Sequence, residues 1–329
     1  LDTMRGLARQ SGPHMVAETG PDGVLSGAIH DLAATEDGDL LAATDGHGVW
    51  RLRGGSWTSL GTPFGAERVR RLRVLQQDDR QHVYAIGGGV AELVDGRWRA
   101  LTLPPALRGH ELFDFAIDPA NARQADTLWI AGYGPGLYRC TTLAHCEAVA
   151  IPGPGPRTDE IRSLRVQPFA DGDSALWVGM QGGGVARLLH GAWTRWHAGN
   201  SALPSDFVSD VEVVPVPGGQ TEIWAGTRSG LAILRGSDDW IGGDPRVAPL
   251  RERVRSLSHA RNSQGVPAIW TGTDSGAVRT SLEGPWHLIS TLGKSANGIW
   301  GLLVERAADG QERLWLASDG DGLARYQHG

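Results

Sequence analysis

Seven positions along the 329-residue chain carry side chains suited to holding an anionic ligand that contains rings. They recur at intervals of 40 to 49 residues and are His30, Arg70, Phe113, Arg162, Ser209, Arg255 and Trp300. Guanidinium groups grip carboxylates through paired hydrogen bonds, and aromatic rings stack on the faces of sugars. If the fold brings these residues to one level, they predict a site for an acidic carbohydrate.

No catalytic signature accompanies these residues. The sequence lacks a Gly-x-Ser-x-Gly elbow, a Gly-rich phosphate loop with Lys and a His-Glu-x-x-His motif. The 11 histidines are scattered without metal-ligand spacing, so we expect no metal and no cofactor. A net charge of −6 with dispersed basic residues argues against nucleic acid as a partner. No apolar run reaches the length of about 18 residues that predicts a membrane-spanning helix.

A repeat must position the seven side chains. The tetrapeptide Leu-Trp-Val-Gly at residues 176–179 recurs with small changes at residues 128–131, 223–226, 269–272 and 314–317, and more weakly at 83–86 and 40–43. Its second residue recurs every 43 to 48 residues, which defines seven units. Internal repeats of this length indicate propellers or solenoids.

Each unit has the pattern of four short strands separated by polar or Gly-rich turns. Units of this kind are typical of propeller blades, and no segment shows a helical period of useful length. The fourth strands carry tryptophans that we expect to fill the space between blades: Trp57, Trp98, Trp193, Trp240 and Trp286. We therefore predict an all-β, seven-bladed β-propeller with four antiparallel strands per blade.

The two ends of the chain predict how the ring closes. The last unit reaches Gly329 before its fourth strand, and a strand-like run at residues 14–18 precedes the first unit. We expect this N-terminal strand to join the last blade, which leaves no open sheet edge. Residues 1–13 are predicted to be a leader or linker, and residues 14–329 a single propeller domain.

The entry to each first strand and the turn between the second and third strands emerge on the same face of a propeller. This places Tyr133 and Arg228, which lie in such turns, beside the seven-residue ring as further ligand-binding candidates. The alternative is that these residues have a purely structural role and bind no ligand. Under this structural alternative, Arg71 pairs with Asp31 and Asp114 between blades, and the aromatic residues Phe113 and Trp300 are packing residues.

The two cysteines, Cys140 and Cys146, flank a hairpin between two outer strands. Such a hairpin can bring them within disulfide reach, although two free thiols remain the alternative. A disulfide would indicate an oxidising compartment.

Two repeats carry a family resemblance. Residues 223–231 read Ile-Trp-Ala-Gly-Thr-Arg-Ser-Gly-Leu, and residues 269–277 read Ile-Trp-Thr-Gly-Thr-Asp-Ser-Gly-Ala. These segments, and the inter-blade stretch at residues 200–206, resemble the two-component-regulator propeller repeats. The resemblance implies a periplasmic or extracellular sensor domain of a hybrid histidine kinase or diguanylate cyclase, which reports glycans or other ligands to an output domain. The sequence departs from many family members in having one propeller and no output domain.

These observations favour a non-catalytic, ligand-sensing propeller of a bacterial receptor, with an acidic oligosaccharide as the expected ligand. A kinase or cyclase output domain in the parent protein is the implied partner. Two alternatives stay open at this point: a polysaccharide lyase or hydrolase, and a protein-interaction scaffold that includes a homodimer.

Overall fold

The computed structural model describes residues 14–65, 68–77, 80–118, 127–134, 136–142, 145–153, 160–236, 239–242, 252–261, 267–281, 287–290, 298–306, 312–318 and 322–327. In this part of the chain, seven antiparallel sheets of four strands each are arranged as the blades of a propeller. Two short 3-10 segments, Pro21–Ser26 and Pro105–Leu107, lie outside the blades. The predicted all-β, seven-bladed fold is confirmed.

The first three blades follow one another in sequence, with the first strand of each innermost. Blade 1 contains β2 (Ile29–Ala34), β3 (Leu40–Thr44), β4 (Val49–Arg53) and β5 (Ser56–Ser59). Blade 2 contains β6 (Val69–Gln77), β7 (Arg80–Gly87), β8 (Val90–Val94) and β9 (Arg97–Ala100). Blade 3 contains β10 (Leu112–Asp118), β11 (Thr127–Gly132), β12 (Gly136–Thr142) and β13 (His145–Val149).

The next three blades repeat this order. Blade 4 contains β14 (Ile161–Pro168), β15 (Ser174–Met180), β16 (Gly184–Leu189) and β17 (Ala192–Trp196). Blade 5 contains β18 (Val208–Pro215), β19 (Thr221–Thr227), β20 (Gly230–Arg235) and β21 (Trp240–Gly242). Blade 6 contains β22 (Val254–Arg261), β23 (Pro267–Thr273), β24 (Gly276–Ser281) and β25 (His287–Ser290).

Blade 7 combines the two ends of the chain. Its inner strands are β26 (Ile299–Arg306), β27 (Glu312–Ser318) and β28 (Leu323–Gln327), and its outer strand is β1 (His14–Glu18). β1 pairs with β28 in register from His14 opposite Gln327 to Glu18 opposite Leu323. Closure by the N-terminal strand is therefore confirmed, because β1 supplies the fourth strand of the last blade. The predicted leader, residues 1–13, lies outside the described residues.

The hydrophobic core lies between neighbouring blades. Between blades 4 and 5, for example, Trp177 of a second strand stacks on Trp196 at 5.7 Å, and Trp240 of the next blade packs edge-on against Trp196 at 6.1 Å. Of the tryptophans expected in fourth strands, Trp240 is buried, while Trp57, Trp98 and Trp193 pack half-buried against inter-blade clusters. Trp286 lies outside the described residues.

A disulfide joins Cys140 and Cys146 across the outer hairpin of blade 3. The two residues face each other in β12 and β13, with Cα atoms 4.0 Å apart. Cys140 is buried in the cluster that joins blades 2 and 3 and includes Tyr84 and Phe115. The bridge therefore ties the outermost strand of blade 3 to the inter-blade core.

The described residues contain no helix with the length and apolar character of a membrane span.

Candidate functional site

Every first strand carries a β-bulge at its second residue. In blade 1, Ile29 pairs with Thr44 and Asp31 with Ala43, so the register passes over His30. The same shift occurs in each of the other six blades. A bulge bends its strand and redirects a side chain. The bulged residues are the seven predicted from the sequence: His30, Arg70, Phe113, Arg162, Ser209, Arg255 and Trp300.

These seven side chains line one cavity of about 270 Å³, here called the mouth cavity. Its other lining residues are Arg71, Gln181 and Arg253. The structure thus brings together six of the residues that the sequence nominated for ligand binding: His30, Arg70, Phe113, Arg162, Arg255 and Trp300. Their role in binding a ligand stays a prediction.

The other two nominated residues, Tyr133 and Arg228, do not line the mouth cavity. Tyr133 is 56% exposed and makes an isolated bridge with Glu160 at the entry to blade 4. Arg228 lies over the ring of Phe207, with its guanidinium carbon 5.5 Å from the ring centre. Both belong to turns between second and third strands, which the structure folds against the next blade.

Two arginines of the mouth cavity stack on neighbouring aromatic rings. The guanidinium carbon of Arg162 lies 4.0 Å from the ring centre of Phe113, and that of Arg255 lies 4.6 Å from the ring centre of Trp300. Arg162 also donates to Glu160 at 2.8 Å and to Gln181 at 2.6 Å. The stacking holds each guanidinium flat and oriented before any ligand arrives, which lowers the entropy lost on binding.

On the side of the mouth formed by blades 1 to 3, two arginines of blade 2 are already paired with carboxylates of the neighbouring blades. Arg70 forms an ion pair with Glu111, and Arg68 forms one with Asp45 at 2.8 Å. Asp45 also lies 3.7 Å from His30. This side of the mouth is therefore nearly balanced in charge.

Arg253 contributes a further guanidinium that the sequence reasoning missed. Burial lowers its pKa first, and repulsion from Arg255, Arg228 and Arg162 lowers it further, while Asp274 opposes the shift. Among the described residues, Arg253 has no close ion pair, and Asp274 is already paired with Arg255. On the side of the mouth formed by blades 4 to 6, the guanidinium of Arg253 is therefore without a close carboxylate partner in the part of the chain that the structure describes.

The same alignment, read two residues before the ring position in each blade, would have found Arg253. It immediately precedes the first core residue of blade 6, as Arg68, Glu111 and Glu160 do in blades 2, 3 and 4. Glu111 and Glu160, which pair with Arg70 and Arg162, occupy this same position, whereas Asp274, the partner of Arg255, lies in a turn between a second and a third strand. The repeat thus encodes the ring and two of the three carboxylates that pair with ring arginines.

One residue below the ring, buried side chains join the blades. The carboxylates of three aspartates each accept a hydrogen bond from a backbone N–H of the next blade. These bonds are Leu72 to Asp31 at 2.8 Å, Leu164 to Asp114 at 3.0 Å and Leu257 to Asp210 at 3.0 Å. Burying a carboxylate is costly unless it is hydrogen-bonded, and these contacts satisfy it. The aspartates therefore serve the fold.

Arginines lower in the channel complete this network. Arg73 donates to Asp114 at 2.5 Å, and Arg165 lies between Asp114, Asp210 and Glu212 at 2.9 to 3.3 Å. Burial alone would raise the pKa of Glu212, but Arg165 and His259 outweigh it and lower that pKa to about 2. The same carboxylates raise the pKa of Arg165 despite its burial.

The structural alternative for Arg71 is correct for one partner and wrong for the other. Arg71 lies 3.8 Å from Asp31 and 3.6 Å from Asp210. Asp114 is instead bound by Arg73 and Arg165, which reach it from the inner strands of the preceding and the following blade. No group of three or more potential metal-binding side chains occurs among the described residues.

The fold has many solved counterparts, although no family model and no curated protein matches the sequence. The extracellular domain assigned to the hybrid two component system BT3049 from B. thetaiotaomicron superposes with a TM-score of 0.67 at 13% identity, over 97% of this chain and 42% of that chain. The extracellular domain assigned to BT4673 from the same organism superposes with a TM-score of 0.64 at 17% identity, over 94% and 39%. Virginiamycin B lyase from Staphylococcus aureus gives 0.69 at 12% identity, over 96% and 99%.

These likenesses establish the fold. The chain is a seven-bladed β-propeller. It spans about two fifths of the length of the two-component extracellular domains that it resembles and nearly the whole length of the lyase. At 12 to 17% identity, the function of any one of these proteins does not transfer with the fold.

Proposed function

We propose that this chain is the extracytoplasmic ligand-sensing propeller of a bacterial signalling receptor, and that its mouth cavity binds an anionic ligand of the acidic-oligosaccharide class. The observation that carries the proposal is the cluster of guanidiniums on one side of the mouth: Arg162, Arg228, Arg253 and Arg255. Mutual repulsion lowers the pKa of Arg253 after burial has done so, and a bound anion would relieve that repulsion.

Stacking supports the same ligand class. Phe113 and Trp300 hold Arg162 and Arg255 in fixed orientations at the cavity wall. Oriented guanidiniums suit bidentate contacts to carboxylates. The rings of Phe113 and Trp300 add apolar surface to the wall against which the apolar side of a sugar ring can pack. The mixed wall therefore fits a ligand that carries both an acid group and a ring.

The location proposed for the protein rests on the disulfide and on the repeat resemblance. The Cys140–Cys146 bridge is of the kind that persists in oxidising compartments. Solved neighbours that share the fold include extracellular domains of two-component systems. Non-reducing mass spectrometry of the protein from its native cells should find both cysteines oxidised; reduced thiols would contradict an extracytoplasmic location. A kinase or cyclase output domain in a longer parent protein belongs to this proposal.

Removing two mouth arginines tests the ligand site. In an Arg253→Ala/Arg255→Ala variant, we expect the affinity for oligogalacturonate to fall at least about 10-fold, because hydrogen bonds between charged groups contribute about 1.5–3 kcal/mol each. Asp274, which loses its partner, is 42% exposed and can be solvated. Isothermal titration calorimetry of the wild-type and variant chains makes the comparison.

The matched control is Arg97→Ala, which removes an exposed arginine from an outer strand of blade 2. It should bind like the wild type. Equal affinities for all three proteins would remove these arginines from the site, and no binding by the wild type would refute the anionic ligand. Raising the salt concentration should weaken binding to the wild type because the attraction is electrostatic.

A lyase is the second candidate, because this chain and virginiamycin B lyase superpose over nearly their whole lengths. A sensor binds without turnover, whereas a lyase releases products. A catalytically inactive form of the S. aureus lyase has been crystallised with quinupristin. Mass spectrometry of the titrated oligosaccharides, and of quinupristin incubated with this chain, therefore separates the two. Cleavage products would establish the enzyme and replace the sensor.

A further inference from the structure

The floor of the mouth cavity is formed by Arg71. This residue lines the mouth cavity and also a second cavity of about 340 Å³ farther along the channel. Its side chain is 13% exposed. Trp300 also lines both cavities. The guanidinium of Arg71 is the charged group at the junction of the two spaces, and it is therefore the deepest positive group that lines the mouth cavity.

Arg71 is held by charge rather than by hydrogen bonds. Its nitrogens lie 3.8 Å from Asp31 and 3.6 Å from Asp210, beyond the usual hydrogen-bond range of 2.7 to 3.2 Å. By contrast, Arg73 and Arg165, one level below, reach their carboxylates at 2.5 Å and 2.9 Å. A guanidinium has five N–H donors, and those of Arg71 form no hydrogen bond with a described residue.

The carboxylate nearest to Arg71 does not depend on it. Asp210 accepts hydrogen bonds from the hydroxyl of Ser163 at 2.8 Å and from the backbone N–H of Leu257 at 3.0 Å. It is also 3.3 Å from a nitrogen of Arg165. Arg71 can therefore turn its donors toward a ligand while Asp210 stays satisfied.

We infer that Arg71 receives the acid group of the ligand at the floor of the mouth cavity, so that the site binds one small acid or the acidic end of a chain. This inference rests on the proposed function and specifies the ligand. The cavity of about 270 Å³ lies just below the range of roughly 300–1,000 Å³ that encloses a drug-sized ligand. It has room for a single sugar-sized unit with its acid group directed at Arg71, between walls formed by Phe113 and Trp300.

The test compares D-galacturonate with its neutral methyl ester and with di- and trigalacturonate, using the full chain and calorimetry. We expect wild-type protein to bind the acid at least 10-fold more tightly than the ester. In Arg71→Gln, binding of the acid should fall at least 10-fold and the preference for acid over ester should disappear. Affinity should rise once, by about 10-fold, from mono- to digalacturonate, because a second acid group can reach Arg253 and Arg255. It should then change less than threefold from di- to trigalacturonate.

Three results would overturn the inference. If Arg71→Gln binds the acid as the wild type does while Arg253→Ala/Arg255→Ala does not, the anion binds at the rim and the proposed function stands without a floor contact. If the affinity for galacturonate oligomers rises 10-fold or more with each added sugar unit, the site binds the interior of a chain rather than its acidic end. If the wild type binds none of the probes, the proposed function fails as well.

A second variant guards against a loss of folding. Arg71→Lys keeps a positive charge beside Asp31 and Asp210 but loses the forked geometry of the guanidinium. If Arg71→Gln does not fold, Arg71→Lys should fold and still lose most of the preference for acid over ester. A full preference in a folded Arg71→Lys chain would argue against a paired contact from Arg71. Thermal unfolding of each variant reports its folding.

Discussion

At the scale of residues, the channel separates two kinds of charged group. Asp31, Asp114 and Asp210 are buried and bonded to the backbone of other blades, so they hold the ring together. Burial raises the pKa of Asp31 more than Arg71 and Arg73 lower it. The mouth arginines, in contrast, lie along a cavity wall, where a ligand can reach them.

Glu212 should make the stability of the fold depend on pH. Its pKa in the folded chain is lowered from 4.5 to about 2, so its contribution is fully present above about pH 4.5 and is lost as the pH falls toward 2. The midpoint of thermal unfolding should therefore drop across this window. In Glu212→Gln, which has no carboxylate to protonate, the drop should be smaller.

Glu36→Gln is the control for this measurement, because Glu36 is exposed in a turn of blade 1. It should show the wild-type dependence on pH. An unchanged slope in Glu212→Gln would mean that the ion pair with Arg165 does not stabilise the native state over the unfolded chain.

At the scale of elements, the β-bulge converts a repeated strand into a binding surface. An unbroken strand would alternate its side chains between the two neighbouring blades, and each first strand would bury both faces. The bulge adds one residue that belongs to neither face. The seven added residues are free to vary between arginine, histidine, serine and aromatics without disturbing the inter-blade core.

A second repeated feature is a contact between an arginine and a tryptophan on neighbouring strands of a blade. Arginines of third strands stack on tryptophans of second strands in four blades: Arg139 on Trp129, Arg187 on Trp177, Arg279 on Trp270 and Arg325 on Trp315. Each pair lies directly opposite in the sheet register. The guanidinium covers an aromatic face that would otherwise be open, which stabilises the outer half of the blade.

The Cys140–Cys146 bridge should stabilise the chain measurably. A disulfide that closes a loop of this length lowers the conformational entropy of the unfolded state, which raises the free energy of unfolding by about 2 kcal/mol. Adding a reductant should therefore lower the free energy of unfolding, measured with denaturant, by about that amount. A Cys140→Ala/Cys146→Ala chain should be less stable than the wild type and should not respond to reductant. If reductant still lowered the stability of that variant, the loss of stability would not come from the Cys140–Cys146 bridge.

At the scale of the whole molecule, ring closure completes the last blade and leaves only the short, protected sheet edges of a propeller. β1 pairs with β28, and the inner strands of blades 7 and 1 pack against each other. Because each blade is stabilised by its two neighbours, the mouth cavity exists only when the ring is closed. Its seven bulged residues come from seven different blades.

A chain that starts at Gly20, and so lacks β1, should lose this closure. Blade 7 would end at β28, whose free edge can pair with another chain. We expect a lower midpoint of thermal unfolding and self-association by size-exclusion chromatography. A chain that starts at His14 keeps β1 and is the control. A monomeric Gly20 chain with an unchanged midpoint would show that β1 is dispensable.

The sequence by itself determined the fold, the number of blades, the closing strand and the membership of the ring. These follow from a repeat of 43 to 48 residues, because one alignment of the seven units places equivalent residues at equivalent depths. The same alignment nominated His30, Arg70, Phe113, Arg162, Arg255 and Trp300, which the structure gathers around one cavity.

Tertiary structure alone decided which charges remain available. Arg70 and Arg162 are paired with Glu111 and Glu160, whereas Arg253 and Arg71 are not tied by hydrogen bonds to described residues. Tyr133 and Arg228 belong to the rim rather than the cavity wall. Ion pairing depends on distances of a few ångströms between side chains from different blades, and a one-dimensional repeat carries depth along the channel but not those distances.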